Sequence, residues 1–321
     1  MEKNKLFKQI LIIFVIVLGF ILFDYSFYNL ITRNYINNYG KSMQEKSINI
    51  EAYLPFKSNS LIVHKNSDVK IEGDIPRIDG ATALYPIYSS YVESLYPKES
   101  VKYDGRDFLP DSKIQKTGTT TAYQKVIDGE TDIIFCAKPS KKQLEYAKSK
   151  NVELELIPIG KEAFVFIVNK KNNINNLSTE QIKKIYSGQI INWKQVGGKN
   201  KPIIPLQRAE GSGSQTAMLS FMKGLRMKKI SQSVIGQKIG YSFRYYVESI
   251  VNDGNIKMLS LDGVEPTIEN IKNDKYPIVN DFYMIYRKNN TNNNIEKIKN
   301  FVLSEDGQKI IEETGYVGIK K

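Results

Sequence analysis

Hydrophobic positions along the chain fall into two regimes. Residues 10–23 carry no charged or strongly polar side chain, follow Lys3, Lys5 and Lys8, and end at Asp24. Fourteen residues is the length of a signal-peptide core, whereas extension through Phe27, Tyr28, Leu30 and Ile31 gives about twenty residues with interfacial aromatics, enough for a membrane span. No small-x-small cleavage pair follows closely, and no nearby cysteine offers a lipidation point. The pattern therefore predicts an uncleaved signal anchor over 10–31, with 1–9 cytoplasmic and the remainder outside the cell, the lysines setting the orientation. Residues 32–52 are mostly polar and read as a stalk without chemistry. Beyond them short apolar runs alternate with helical periodicity. Strands are expected near 77–79, 132–136, 154–159, 163–169, 203–207 and 281–287, and helices near 83–95, 120–127, 141–150, 178–187, 215–223 and 295–303. Such alternation predicts an α/β fold with a largely parallel sheet or sheets.

Composition narrows the function classes. Hydrophobic residues make up 41% and charged residues 25% of 321, close to globular averages, which argues against wholesale disorder and against a multi-span membrane protein. The net charge of +12 comes from scattered lysines and favours anionic surroundings or solutes. With no zinc-finger or helix-turn-helix signature, nucleic acid is not an expected partner. A single cysteine, Cys136, excludes an internal disulfide framework and any multi-cysteine zinc site. A single histidine, His64, excludes a two-histidine metal site within one chain and leaves little for a Ser-His-Asp triad. Cys136 lies in an apolar run and Trp193 in an ordinary packing context, so both are read as core. No P-loop or nucleophile-elbow motif occurs; no enzyme activity, cofactor or metal is expected.

Three clusters of Ser, Thr and Gly fall at the starts of predicted helices. They are Asp79-Gly80-Ala81-Thr82-Ala83, Thr117-Gly118-Thr119-Thr120-Thr121, and Arg208-Ala209-Glu210-Gly211-Ser212-Gly213-Ser214. A helix start leaves several N–H groups without partners and bears partial positive charge, so it accepts anions; hydroxyls add donors and Gly admits close backbone approach. The same residues are ordinary caps and turns. Arg208, four residues before Ser212, could offer a bidentate fork to an oxyanion, with Glu210 orienting it.

Residues 78–320 resemble the phosphate-binding, PstS-like branch of ABC-transporter solute-binding proteins, which have a type II periplasmic-binding-protein fold. The loop Arg208-Ala209-Glu210-Gly211-Ser212-Gly213-Ser214 is similar to that family's R-x-D-G-S-G-T signature. Glu162-Ala163-Phe164-Val165-Phe166-Ile167-Val168-Asn169, Ile185-Tyr186-Ser187-Gly188, Ile191-Asn192-Trp193, Glu265-Pro266-Thr267 and Gly315-Tyr316-Val317 follow in the family's order. The resemblance implies two lobes with a hinge, 53–168 plus 279–321 and 169–278, crossing near 168–169 and 279–280. It implies ligand contacts from Thr82, Ala83, Thr119, Thr120, Arg208, Ser212, Gly213 and Ser214, with Glu210 orienting. It also implies capture of phosphate or a related small oxyanion for an ABC permease. Two positions depart from the pattern. Ala137 stands where the family places a carboxylate that accepts the proton of hydrogen phosphate, and Ala81 stands where many relatives have a hydroxyl. The alternative reading is a membrane-anchored surface interaction or sensory module that keeps the fold without transport.

Overall fold

The computed structural model describes residues 2–39, 47–228 and 236–319. Helix α1 (Glu2–Tyr39) is continuous for 38 residues. Its segment Leu11–Tyr28 has a mean hydropathy of 2.3 and no buried residue, so by length and composition it can cross a membrane. The stalk expected over 32–52 divides into three parts. The helix runs on to Tyr39, residues 40–46 lie outside the described ones, and Ile48 and Ile50 are buried in a hydrophobic core. That last stretch reads as polar in sequence because only alternate residues are apolar, the pattern of a chain lying on a surface.

The strands of the body are β1 (Ile78–Gly80), β2 (Ile133–Ala137), β3 (Leu154–Asn169), β4 (Asn176–Leu177), β5 (Ile203–Pro205), β6 (Gln237–Phe243), β7 (Ile256–Met258), β8 (Ser260–Leu261), β9 (Val279–Arg287) and β10 (Val317–Gly318). The helices are α2 (Tyr85–Leu95), α3 (Thr119–Asp128), α4 (Lys141–Ser149), α5 (Thr179–Ser187), α6 (Gly213–Met222), α7 (Ile268–Lys272), α8 (Asn294–Leu303) and α9 (Glu305–Thr314). Local chemistry explains several boundaries. Ser140 and Ser178 open α4 and α5 with reciprocal capping boxes to Gln143 and Gln181. Gly129, Gly188 and Gly315 close α3, α5 and α9 in the left-handed conformation that a Cβ disfavours.

One sheet runs in the order β1-β2-β9-β3-β6-β5, with β7 and β10 also pairing with β3. The expectation of a largely parallel sheet is corrected. Within this sheet β1/β2 and β5/β6 are the parallel pairs, whereas β9 lies antiparallel between β2 and β3, and β6 antiparallel to β3; β4 and β8 form a separate parallel pair. The cause is β3, sixteen residues long, which the periodicity divides into two short strands. It serves both halves of the fold, pairing with β9 as far as Ala163 and with β6 from Phe164 onward. The change of partner therefore falls between Ala163 and Phe164, ahead of the expected 168–169 crossing. On the neighbouring strand the pairing starts at Val279.

Two main cores flank this change, which makes the body two-lobed. One gathers α2, α8, α9 and β1, and the other the Phe164–Val168 half of β3 with α5, Trp193 and β6. A smaller cluster under α3 and α4 adjoins the first. Tyr245, Tyr246 and Ile250 belong to the first core although they lie in the middle stretch of the chain. Cys136 and Trp193 are fully buried.

β3 carries an irregularity between Pro158 and Gly160, and a Cβ on Gly160 would sit 2.3 Å from the Phe282 ring and 2.9 Å from the Val317 carbonyl oxygen. Gly160→Ala is accordingly expected to destabilise the fold by about 2 kcal/mol, lowering Tm by roughly 5 °C in thermal unfolding. An unchanged Tm would show that Phe282 has room to move.

Candidate functional site

A cavity of about 60 Å³ lies where the two lobes meet, room for roughly four waters or one tetrahedral oxyanion. Its first wall starts at the end of β1. Asp79 is fully buried, and its carboxylate accepts the N–H groups of Gly80 at 2.7 Å and Thr117 at 2.8 Å and the Thr117 hydroxyl at 2.6 Å. Burial pushes its pKa up while these bonds pull it down. The arrangement fastens the Thr117-Gly118 loop to β1, and Gly118 (φ 87°) then turns the chain into α3 in a conformation that favours glycine. Thr119, the first residue of α3, faces the cavity.

Ala81, Ala83 and Leu84 line the same wall, whereas Thr82 is buried beside Gly118 and lies outside the lining. Thr120 points away from the cavity into an outer groove, where a Cβ on Gly211 would stand 3.2 Å from its hydroxyl. The sequence could not separate Thr119 from Thr120, because adjacent helical residues differ only in the direction that tertiary packing gives them.

The second wall is the loop after β5. Arg208 is 8% exposed; its backbone N–H is shared between Gln215 Oε1 and the Tyr241 hydroxyl, each at 3.1 Å, and its guanidinium lies 5.9 Å from the Tyr246 ring centroid. The Tyr241 hydroxyl itself donates to Gln215 Oε1, and burial pushes the phenol up to about 12. Ser212 caps α6, donating to the Ala209 carbonyl at 2.8 Å and accepting from the Gln215 N–H at 3.2 Å. Its hydroxyl is thus committed within the loop. Gly213 and Ser214 form the first turn of α6, where N–H groups have no intrahelical acceptor, and Ser212, Gly213 and Ser214 all line the cavity. A Cβ on Gly213 would lie 3.5 Å from Ala137 Cβ and 3.7 Å from Thr119 Oγ1, so the two walls stand about one methyl group from contact here.

Ala137 does line the cavity, presenting a methyl group where the resemblance implied a carboxylate elsewhere in the family. Glu210 lines the outer groove and pairs with Lys142 at 2.7 Å, while Gln143 Nε2 donates to the Gly211 carbonyl at 3.2 Å. Its expected part in orienting Arg208 is replaced in the structure by this bridge between α4 and the loop.

The floor contains residues that sequence reasoning did not single out. Glu162, Ser242, Tyr246, Asn280 and Asp281 all line the cavity. Glu162 is 3% exposed and pairs with Arg244 Nε at 3.1 Å. Arg244, for which an exposed position is the ordinary expectation, is 4% exposed and also bonds Glu248 and the Gly315 carbonyl. A charged residue inside the apolar run Glu162–Val168 was the available signal for a buried functional group. Burial pushes the Glu162 carboxyl up to about 7, against the pull of Arg244 and of the Ala163 and Tyr245 N–H groups. Among the described residues no cluster suited to a metal ion occurs.

An anion-sized cavity between two α/β lobes is the arrangement of a solute receptor, and comparison with known proteins agrees with that class. Residues 72–305 match the profile of the PBP superfamily domain, and the chain belongs to that family. The phosphate-binding protein PstS of Borreliella burgdorferi is 25% identical over 287 residues, covering 82% of this chain and 96% of the relative. PstS of Staphylococcus aureus USA300 is 28% identical, covering 78% and 80%. Among solved structures, an ABC-type phosphate transport receptor from Vibrio cholerae aligns with a TM-score of 0.53 at 21% identity, covering 78% of this chain and all of the other. A protein from Clostridium perfringens assigned as a phosphate ABC transporter substrate-binding protein, solved with phosphate bound, aligns at 0.58 with 24% identity, covering 78% and 99%. The two-lobed α/β fold expected from the sequence is that of these structures.

A carboxyl whose pKa rises on folding holds its proton more tightly in the native state. The stabilisation is therefore complete below the ordinary value near 4.5 and is lost as pH rises to about 7. Glu162→Gln is expected to remove this component, so that the difference in Tm between wild type and variant changes between pH 4.5 and 7 and is level above. A constant difference across that range would show that Arg244 keeps Glu162 ionised throughout.

Proposed function

We propose that this chain is a membrane-anchored, extracytoplasmic solute-binding protein that captures phosphate or a closely related small oxyanion between its lobes and presents it to an ABC permease. The cavity carries this reading. It is sized for one tetrahedral anion and walled by Arg208, Thr119, Ser214 and the first turn of α6, drawn from both lobes. Enclosure removes the water shell of the anion, and fixed donors replace it, which is where affinity and selectivity arise. The names of the PstS relatives point to the same solute.

Ligand contacts are assigned to Ala83, Thr119, Arg208, Gly213 and Ser214, with Thr82 and Ser212 shaping the wall through their neighbours. The lobes are assigned to move about the paired strands β3 and β9, at Ala163 and Val279. The exposed apolar segment of α1 supports anchoring, since about twenty such residues in water have no compensating partner. A surface module that has lost its ligand is not favoured, because such a protein has no use for an anion-sized cavity lined by Arg208 and a helix start.

The test is thermal unfolding of the full chain in detergent against phosphate, sulfate, molybdate and phosphate esters. A ligand at a hundred times its Kd adds about 2.7 kcal/mol to the stability of the folded state. Phosphate is expected to raise Tm by several degrees and Arg208→Ala to abolish the rise. No shift with any oxyanion would overturn the proposal.

A further inference from the structure

The cavity is not uniform in chemistry. Ala81, Ala137, Phe243 and Phe282 all line it, and none of these side chains carries a hydrogen-bonding group. The Ala81 N–H is taken by the Phe135 carbonyl at 2.9 Å. This apolar patch adjoins the start of α6, where a Cβ built on Gly213 would stand 3.5 Å from Ala137 Cβ and 3.7 Å from Phe243 Cε2. A ligand resting on the helix start therefore meets a methyl group and a ring edge as well. An inorganic oxyanion has an oxygen at every corner, and an oxygen turned to such a patch loses its water without receiving a donor. A carbon at that corner forfeits no hydrogen bond and buries apolar surface.

The lining also holds two carboxylates, and they differ in state. Glu162 is engaged by Arg244 and by the Ala163 and Tyr245 N–H groups. Asp281 lines the cavity yet is exposed; it accepts one hydrogen bond, from the Tyr283 hydroxyl at 3.5 Å, and has no ion pair among the described residues. Lys161, its register partner on β3, turns its ammonium to Asp274 at 3.0 Å instead. Asp281 directly precedes Phe282, which pairs with Ala137, so a carboxylate and the apolar patch share one end of the β2/β9 ladder. A carboxylate beside an anion site repels a bare anion and attracts a ligand that also bears a cation. We propose that the cavity selects an aminoalkylphosphonate, its oxyanion end held by the groups assigned above, its carbon by the apolar patch and its ammonium by Asp281. This rests on the oxyanion reading of the cavity and narrows the solute to a zwitterion with a carbon–phosphorus bond. Because Asp281 is exposed, the ammonium keeps part of its water, and the interior of about 60 Å³ has to hold only the phosphonate group and its first carbon. Phosphate fills the oxyanion part alone and is the weaker ligand.

The test measures Kd by calorimetry for the full chain in detergent with inorganic phosphate, methylphosphonate and 2-aminoethylphosphonate, on wild type and on Asp281→Asn. Wild type is expected to bind 2-aminoethylphosphonate about tenfold or more tighter than methylphosphonate, and methylphosphonate no more weakly than phosphate. Asp281→Asn keeps the shape and removes the charge. Its affinity for 2-aminoethylphosphonate is expected to fall about tenfold, while phosphate, relieved of a like charge, binds more tightly than to wild type. Opposite movements of two ligands cannot come from a change in folding alone, and the ligand-free Tm is expected to hold because the side chain is exposed. Three results would each overturn this assignment and leave the oxyanion reading standing: phosphate binding tighter than either phosphonate, an amine that adds no affinity, or an Asp281→Asn variant with an unchanged Kd for 2-aminoethylphosphonate. Wild type that binds none of the three probes sinks the reading of the cavity and this assignment together.

Discussion

The ion pair between Glu162 and Arg244, both nearly inaccessible to water, is the constraint on which the rest of the body depends. Two charges in an apolar interior are tolerated only when each finds further partners, and here they do. Glu162 takes two backbone N–H groups, and Arg244 reaches Glu248 and the carbonyl of Gly315. The pair thereby ties β3, the end of β6, the π-helical turn Tyr246–Val251 and the chain entering β10 at the place where β3 passes from one lobe's partner to the other's. Loss of Arg244 leaves the Glu162 carboxyl buried without its charged partner, a penalty of about 3–5 kcal/mol in comparable buried pairs, whereas loss of Glu162 leaves Arg244 its pair with Glu248. A π-helical segment at that junction, with Tyr246 forming part of the cavity, places the less regular backbone next to the site.

From that frame the cavity follows. The floor belongs to the strands, which are held by sheet pairing and by the ion pair, whereas the donors belong to loops and helix starts. Asp79 acts on the first wall as Tyr241 and Gln215 act on the second: each buries its polar atoms in bonds that fix a loop. The residues expected to touch the ligand therefore depend on residues that do not. Ser212 shows the division within one loop. Its hydroxyl is engaged in the cap of α6, and the N–H groups that the cap leaves without intrahelical acceptors are the ones proposed to meet the anion.

Much of this was legible in the sequence, for identifiable reasons. Capping boxes and terminal glycines are local chemistry, so α4 and α5 stand close to their predicted limits. The three Ser/Thr/Gly clusters were legible because helix starts that bind anions need those residue types. What escaped was set by distant contacts. β6, with the sequence Gln-Lys-Ile-Gly-Tyr-Ser-Phe, has weak strand character and exists because β3 and β5 flank it. α9 contains Gly307, a poor helix former, at a position where a Cβ would stand 2.1 Å from the Phe301 carbonyl oxygen, so tight packing against α8 overrides propensity. Parallel pairing was inferred from alternation of strand and helix, which cannot register that two strands return between lobes. Glu162 and Asn280 entered the sequence reading only as part of a strand motif and of a lobe crossing, because polar residues at a strand junction carry no cavity signature until their neighbours are known.

The N-terminal region adds an asymmetry to the motion proposed for the lobes. Ile48 and Ile50 are buried in the first core, the Tyr85 hydroxyl donates to the Ile50 carbonyl at 3.2 Å, and Ser89 donates to that of Tyr53 at 2.5 Å. Further along, Phe56 and Val63 are held through their N–H groups by Glu93 and Ser90 of α2. The chain leaving the anchor is thus fastened to the first lobe before that lobe's own strands begin. Rotation about β3 and β9 would then displace the second lobe while the first stays with the tether. The second lobe carries Arg208 and the start of α6, two of the groups proposed to hold the anion. Its movement would close the cavity over an anion already resting against Thr119 and the helix start of the tethered lobe. The Lys142–Glu210 pair and the Gln143–Gly211 bond can form only when the two walls meet, so they would add to the closed state after the ligand has drawn the lobes together. As a pair exposed by more than half on each side, Lys142–Glu210 contributes at most about 1 kcal/mol. Closure that depends on the ligand rather than on the rim is what reversible capture and release requires.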